Sequence, residues 1–116
     1  MTEQSPSTCL KDKTCAACSG GAAPLKGEEL KKFAEQIDDA WNVVDEHHLK
    51  REFKFNDFAA ALKFVNRVGE VAEQENHHPE ITFTYGKATI RLHTHKIDGL
   101  SEADFILAAK IDELRI

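Results

Sequence analysis

The sequence lacks any apolar run near the roughly 18 residues that a membrane-spanning helix needs, so we expect no part of it to cross a bilayer. Residues 1–6 also lack the basic start and apolar stretch of a signal peptide, which predicts a cytoplasmic protein. Basic side chains are in deficit, with 15 Lys and Arg against 20 Asp and Glu, and the formal charge of −5 argues against direct nucleic-acid binding. A chain of 116 residues with 41% hydrophobic side chains is one ordinary domain that needs neither disulfides nor metal to fold.

Cysteine is scarce, and its placement predicts no disulfide framework. The count of three is odd, and Cys9, Cys15 and Cys18 all precede the first predicted helix. Without a signal peptide, we expect these thiols to face a reducing compartment. The spacing of Cys15 and Cys18 occurs in zinc and redox sites, but neither a second ligand pair nor a strand-to-helix context accompanies it. We therefore expect inert thiols, with a metal shared between two chains as the alternative.

Large aliphatic side chains are almost missing from the start of the chain. Between Met1 and Pro24 the only one is Leu10. Such a segment cannot bury enough apolar surface to offset the entropy lost when it is ordered. We therefore interpret residues 1–24 as a flexible N-terminal arm and residues 25–116 as the folded domain.

Apolar periodicity in the remainder predicts a helix, two strands, a helix, two strands and a final helix. The helical patterns cover 28–37, 57–75 with Asn56 as the N-cap, and 101–114; the strand patterns cover 41–44, 49–55, 81–85 and 88–95. Two hairpins on either side of a helix indicate an α+β fold, an antiparallel four-stranded sheet packed on one face by helices. Gly69, on the apolar stripe of the middle helix, suggests a close approach to another element.

A histidine-rich corner is the most informative feature for function. His77 and His78 precede Pro79 where the middle helix is predicted to stop, and His95 stands near the end of the second predicted hairpin. Because a hairpin returns its far end beside its beginning, we expect His95 to lie beside the other two imidazoles. Imidazole titrates near neutrality, so such a cluster can hold an acid and a base together.

The spacing of these residues resembles the signature of the pterin-4a-carbinolamine dehydratase family. That signature reads here as Glu73, three residues, His77-His78-Pro79, five residues, Tyr85, nine residues, His95, eight residues and Asp104. The stretches 53–58, 92–95 and 99–104 are also similar to segments of the family, so the resemblance covers about residues 25–114. Several motifs keep their order and spacing together, which makes the match specific where an isolated His-His-Pro would be weak.

The resemblance implies a hydro-lyase that dehydrates 4a-hydroxytetrahydropterin to quinonoid dihydropterin, with the pterin as substrate and no bound cofactor or metal. It implies that His77 and His95 are the main proton-transfer pair. His78 would bind the pterin and replace one of them for the other C4a stereoisomer. It also implies a homodimer or homotetramer that serves a pterin-dependent aromatic amino acid hydroxylase.

The resemblance implies supporting roles for four further residues. Pro79 would shape the pocket wall and Thr94 would hydrogen-bond the pterin ring. Glu73 and Asp104 would orient or tune the imidazoles. Two of these have simpler interpretations, because Ser101 and Asp104 form a capping-box pattern and Glu73 is one of several acids on a helix.

Other residues and functions leave alternatives open. We interpret His47 and His48 as solvated loop residues, Tyr85 as a packing residue, and His93 as lining the pocket edge or a subunit contact. Zinc on the three histidines is disfavoured, because adjacent histidines rarely serve one ion well. The alternative function is a non-catalytic dimerisation or assembly module that binds a protein partner, and three converging imidazoles favour the enzyme.

Overall fold

The computed structural model describes residues 23–114, so almost all of the predicted arm of residues 1–24, with its three cysteines, lies outside the described residues. The element order is the predicted one. The helices are α1 (Gly27–Ala34), α2 (Phe58–Glu75) and α3 (Glu102–Asp112), and the strands are β1 (Asn42–Val44), β2 (His48–Lys54), β3 (Glu80–Thr84) and β4 (Lys87–Leu92). Within these residues, none of the helices is long and apolar enough to cross a membrane.

The four strands form one antiparallel sheet in the order β1-β2-β4-β3. Each hairpin supplies one central and one edge strand, and β2 pairs with β4 through partners such as Leu49 and Leu92. Those two leucines and Ile90 are fully buried, whereas the adjacent pair Lys50 and Arg91 is only partly buried. The predicted α+β fold with a four-stranded sheet is therefore confirmed.

Helix α3 is the most enclosed element, and it organises the core. Its buried residues are Ala103, Asp104, Phe105, Ile106, Leu107, Ala108 and Ile111. Helix α1 packs against it through Phe33, whose ring lies 5.5 Å from that of Phe105. At its C-terminal end, Asp112 accepts hydrogen bonds from Trp41 and Arg51 at 2.8 Å each, which ties α3 to the first hairpin. Burial raises the pKa of the Asp112 carboxyl despite these bonds.

The apolar stripe of α2 agrees with the predicted one only in part. The sequence pattern predicts a stripe of Phe58, Leu62, Val65, Val68, Gly69 and Ala72, of which Val68 and Ala72 are buried. The buried residues are Ala61, Phe64, Val68 and Ala72, whereas Phe58 and Leu62 are 47% and 40% exposed. Both rows have helical spacing, so the sequence pattern alone does not decide which of them faces the core. The close approach expected at Gly69 is also wrong, because no other described atom lies within 4 Å of the position its Cβ would occupy.

The N-terminus of α2 is capped one residue later than predicted. Asp57, not Asn56, adopts the extended cap conformation, and its side chain accepts a hydrogen bond from the Ala60 backbone N–H at 2.8 Å. The first residues of a helix leave backbone donors without partners inside the helix, and a cap residue satisfies one of them.

We expect Asp57→Ala to lower the free energy of unfolding by about 1 kcal/mol, because one backbone donor of α2 loses its acceptor. The matched control is Asn56→Ala, which should change stability by no more than about 0.5 kcal/mol. Urea denaturation of both variants measures the difference. Equal losses in the two would contradict the assignment of the cap.

Candidate active site

The C-terminal end of α2 sets the position of the first histidine. Asn76 adopts the left-handed conformation at φ 52° and ends the helix. The backbone N–H of His77 then donates to Ala72 O at 3.2 Å, so the chain leaves the helix in a fixed direction. An asparagine tolerates this conformation better than most residues because its short polar side chain bonds locally.

Asp104 is fully buried and joins three segments of the chain. Its Oδ1 accepts a hydrogen bond from His77 Nε2 at 2.6 Å. Its Oδ2 accepts from Thr94 Oγ1 and from the Ser101 backbone N–H, both at 2.9 Å. Because three donors surround it, the carboxylate is satisfied in the interior, where an unpartnered charge would be costly.

These contacts define how the His77 ring is held. A carboxylate only accepts hydrogen bonds, so the ring donates from Nε2 to Asp104. In the neutral ring, Nδ1 is then the acceptor. The side chain of His77 is 15% exposed, so it remains accessible while it is oriented. His77 can therefore take up a proton at Nδ1 from a bound molecule.

Both interpretations of Asp104 from the sequence describe contacts that exist. It forms the capping box with Ser101 at the start of α3, which confirms the capping interpretation. It also holds His77, as expected if it orients an imidazole. The capping-box pattern predicted the link between Ser101 and Asp104. It did not predict that Ser101 Oγ also lies 2.7 Å from Thr94 Oγ1.

His78 is held by a separate carboxylate. Its Nε2 lies 2.6 Å from Glu73 Oε2, and the two side chains are 54% and 79% exposed. The interpretation of Glu73 as a merely solvated helix residue therefore misses a contact. Pro79 follows, half-buried, as the last residue before β3. This pair presents an imidazole near the surface, beside the more enclosed His77.

His95 does not lie on a strand, in contrast to the sequence prediction. Strand β4 ends at Leu92, Thr94 forms an isolated bridge with Gly99, and His95 begins a short 3₁₀ turn that ends at Ile97. Gly99 is required here, because a Cβ would lie 2.8 Å from that of Pro24. The predicted strand over 88–95 therefore ends at Leu92, because the chain enters a tight turn that the alternation of apolar residues does not indicate.

The rings of His77, His78 and His95 do not form a single contact cluster, although His77 and the residue before His95 are bonded to the same carboxylate. The ring of His95 lies 4.2 Å from that of His93. Among residues 23–114, no hydrogen bond or ring contact joins His95 to His77 or His78. The connection runs through Thr94, the residue before His95, which shares Asp104 with His77.

The interpretation of His47 and His48 as solvated loop residues is only partly right. His47 lies in the turn before β2 with its side chain 37% exposed, whereas His48 is the first residue of β2. Both are partly buried, and their Nδ1 atoms lie 3.2 Å apart. His47 Nε2 is also 2.9 Å from Asp98 Oδ1, and its ring lies 4.9 Å from that of His93. We call His47, His93 and His95, with Asp98 at the outer end, the histidine row.

The histidine row and its neighbour His48 affect one another electrostatically. Burial lowers the pKa of His93 from its ordinary value, and the nearby His95, His47 and His48 lower it further, while Asp104 raises it. Burial and the adjacent His47 lower the pKa of His48. The hydrogen bond from His47 lowers the pKa of the Asp98 carboxyl. His93 therefore favours its uncharged form at neutral pH.

Tyr85, which was interpreted as a packing residue, is 68% exposed and lies beyond the end of β3.

Within residues 23–114, no group of three or more His, Cys, Asp or Glu side chains is placed to hold a metal ion.

Comparison with known proteins identifies the family. A family model described as pterin 4 alpha carbinolamine dehydratase matches residues 23–114, so this chain belongs to that family. A protein of Rubrobacter xylanophilus, provisionally named pterin-4-alpha-carbinolamine dehydratase, is 59% identical over 105 residues, which are 90% of this chain and 97% of that protein. A protein of Alkaliphilus metalliredigens with the same provisional name is 49% identical over 104 residues, covering 90% and 94% of the two chains.

Two solved structures are also similar. A transcriptional coactivator/pterin dehydratase from Brucella melitensis has a TM-score of 0.70 and 33% identity, and the match covers 75% of this chain and 93% of that one. A pterin dehydratase-like protein described as a RuBisCO assembly factor in the alpha-carboxysome has a TM-score of 0.54 and 24% identity, covering 63% and 86%. The second likeness is one of fold alone.

Proposed function

We propose that this chain is a hydro-lyase that converts 4a-hydroxytetrahydropterin to quinonoid dihydropterin and water. The observation that carries the proposal is the His77–Asp104 pair, an imidazole held at 2.6 Å by a fully buried carboxylate. Membership of the dehydratase family supports the substrate class. The pair supports the reaction type, because it supplies an imidazole oriented to pass a proton to or from a bound molecule.

The chemistry requires proton transfers at two neighbouring atoms. The C4a–O bond breaks, and the hydroxyl leaves as water after it receives a proton. N5 loses its proton, and the electron pair of that bond forms the C4a–N5 double bond. No electrons are gained or lost overall, so we propose that the pterin is the only small molecule needed and that no cofactor or metal takes part.

We assign the roles as the resemblance to the family implies them. His77, with Nδ1 as acceptor, serves as one proton-transfer group, and His95 serves as the other. His78 binds the pterin, with Glu73 orienting its ring at 2.6 Å. Asp104 acts through His77 and is a positioning residue.

Thr94 and Pro79 complete the proposed site. Thr94 Oγ1 donates to Asp104 and accepts from Ser101 Oγ, so it helps to hold the network and presents its neighbour His95. Pro79 forms part of the wall after His78. A pterin bound there would lie between the end of α2 and the loop that joins β4 to α3.

Assembly and cellular role belong to the same proposal. We propose a homodimer or homotetramer, supported by Phe58 and Leu62 on α2, which are large apolar side chains that stay 47% and 40% exposed in one chain. We also propose that the enzyme recycles the pterin of an aromatic amino acid hydroxylase. A cytoplasmic location remains a prediction of the sequence.

The decisive test is a rapid-mixing absorbance assay. A pterin-dependent hydroxylase generates the 4a-carbinolamine, and its decay is followed with and without this protein. We expect the full chain to accelerate the decay in proportion to its concentration. A folded protein that leaves the spontaneous rate unchanged would contradict the proposal.

The second candidate function is a protein-binding module. The similar Brucella melitensis structure is described as a transcriptional coactivator as well as a dehydratase, which favours considering it here. A pull-down with Phe58→Ser/Leu62→Ser as the matched control would test whether the exposed face of α2 binds a partner. This function would become the leading one if the absorbance assay showed no acceleration.

A further inference from the structure

The histidine row places a second imidazole directly against His95. The ring of His93 lies between those of His47, at 4.9 Å, and His95, at 4.2 Å. At the outer end of the histidine row, His47 Nε2 is hydrogen-bonded to Asp98 Oδ1 at 2.9 Å. The row therefore runs from an exposed carboxylate inward to His93 and out again to His95.

The backbone beside the row is rigid. Thr94, between His93 and His95, is 8% exposed. Its N–H donates to Gly99 O at 2.7 Å, and its side chain donates to Asp104 at 2.9 Å. The peptide on either side of Thr94 is thus fixed, but the His95 side chain itself is exposed. Its one ring contact among the described residues is with His93.

We propose that His93 is a positioning residue whose ring supports the His95 imidazole in the orientation needed for proton transfer. The inference rests on the proposed function, since it assigns His95 a part in the dehydration. An exposed imidazole in a short turn would otherwise sample several rotamers. A ring packed against it restricts those rotamers before the substrate arrives, and small errors in orientation are costly for proton transfer.

The groups facing His93 are consistent with a supporting role. They are His47 and His48 from the first hairpin, His95 from the turn and Asp104 from α3. Since its uncharged form is favoured at neutral pH, His93 can contact His95 without opposing a positive charge there. A lysine or arginine in the same place would repel a protonated His95.

Paired substitutions separate ring support from proton transfer by His93 itself. In His93→Ala we expect kcat to fall about 10-fold or more with little change in KM, because binding survives while orientation is lost. In His93→Phe, which keeps a ring and removes its protons, we expect most of kcat to return. His48→Ala, which removes a neighbour of the row without touching His95, is the matched control and should stay within about twofold of the unaltered chain.

A measurement of ring order makes the inference independent of the activity. In NMR spectra of the full chain we expect cross-relaxation between the ring protons of residues 93 and 95, absent in His93→Ala and regained in His93→Phe. Retention of kcat in His93→Ala, or an equal loss in His93→Phe, would overturn the positioning role. If the unaltered chain shows no dehydration, the proposed function fails. In that case the absence of the 93–95 contact in the NMR spectra would overturn ring support, and its presence would sustain it.

Discussion

Replacement of His77 by alanine is expected to lower kcat/KM for dehydration by about 10²-fold or more, the usual contribution of a positioned acid or base. The ring is only 15% exposed and is oriented by Asp104 at 2.6 Å, so the variant removes an imidazole that a buried carboxylate holds in place. The loss should fall mainly on kcat, because the imidazole acts when protons move. The rapid-mixing assay measures it directly.

The control for this variant must lie nearby and leave the site intact. Glu80→Ala is suitable, because Glu80 begins β3 three residues after His77 and its side chain is 73% exposed. We expect it to retain activity within about twofold. If His77→Ala, shown to be folded by its urea midpoint, were as active as Glu80→Ala, the assignment of His77 would be lost.

Replacement of Asp104 by asparagine should separate stability from activity. The amide has one oxygen where the carboxylate has two, and three donors compete for it: His77, Thr94 and the Ser101 N–H. If the asparagine oxygen keeps the hydrogen bond from the Ser101 backbone N–H, its NH₂ group faces His77 Nε2. The ring must then accept at Nε2 and carry its proton on Nδ1, the reverse of the arrangement in the unaltered chain.

We therefore expect Asp104→Asn to lower kcat by about 10²-fold and to lower the free energy of unfolding by only about 1–2 kcal/mol. Urea denaturation and the rapid-mixing assay give the two quantities, and the chemical shifts of the His77 ring nitrogens report the tautomer. The matched control is Ser101→Ala, which removes a hydroxyl from the same network but leaves both carboxylate oxygens. An active Asp104→Asn with the original His77 tautomer would contradict the positioning role.

The sequence was sufficient for the fold but not for every boundary within it. Alternation of apolar residues gave both hairpins and the four-stranded sheet, because one face of each strand is buried and the other is not. It failed at Thr94, where the chain turns through Gly99 although the apolar alternation continues. It also failed in part on α2, where two rows of helical spacing compete and tertiary packing selects the one with Ala61 and Phe64.

For the candidate site, too, the sequence predicted part of the arrangement and missed part of it. Motif spacing brought together Glu73, His77 and Asp104, and the structure places each in a hydrogen-bonded pair. The partners within the pairs were not predicted, since contacts between residues 27 positions apart depend on how α2 and α3 pack. His47 and His93 were missed as members of one row because no local pattern links a turn of one hairpin to the end of the other.

The position of Asp104 also has a consequence for how the protein opens and closes. The residues it joins come from the end of α2, the loop after β4 and the first turn of α3, and none of these segments can keep the network alone. The Ser101 amide hydrogen, which donates to this carboxylate, exchanges with solvent only when the network breaks. Its exchange rate would therefore report how often this network opens, and would show whether opening requires global unfolding or only release of the first turn of α3.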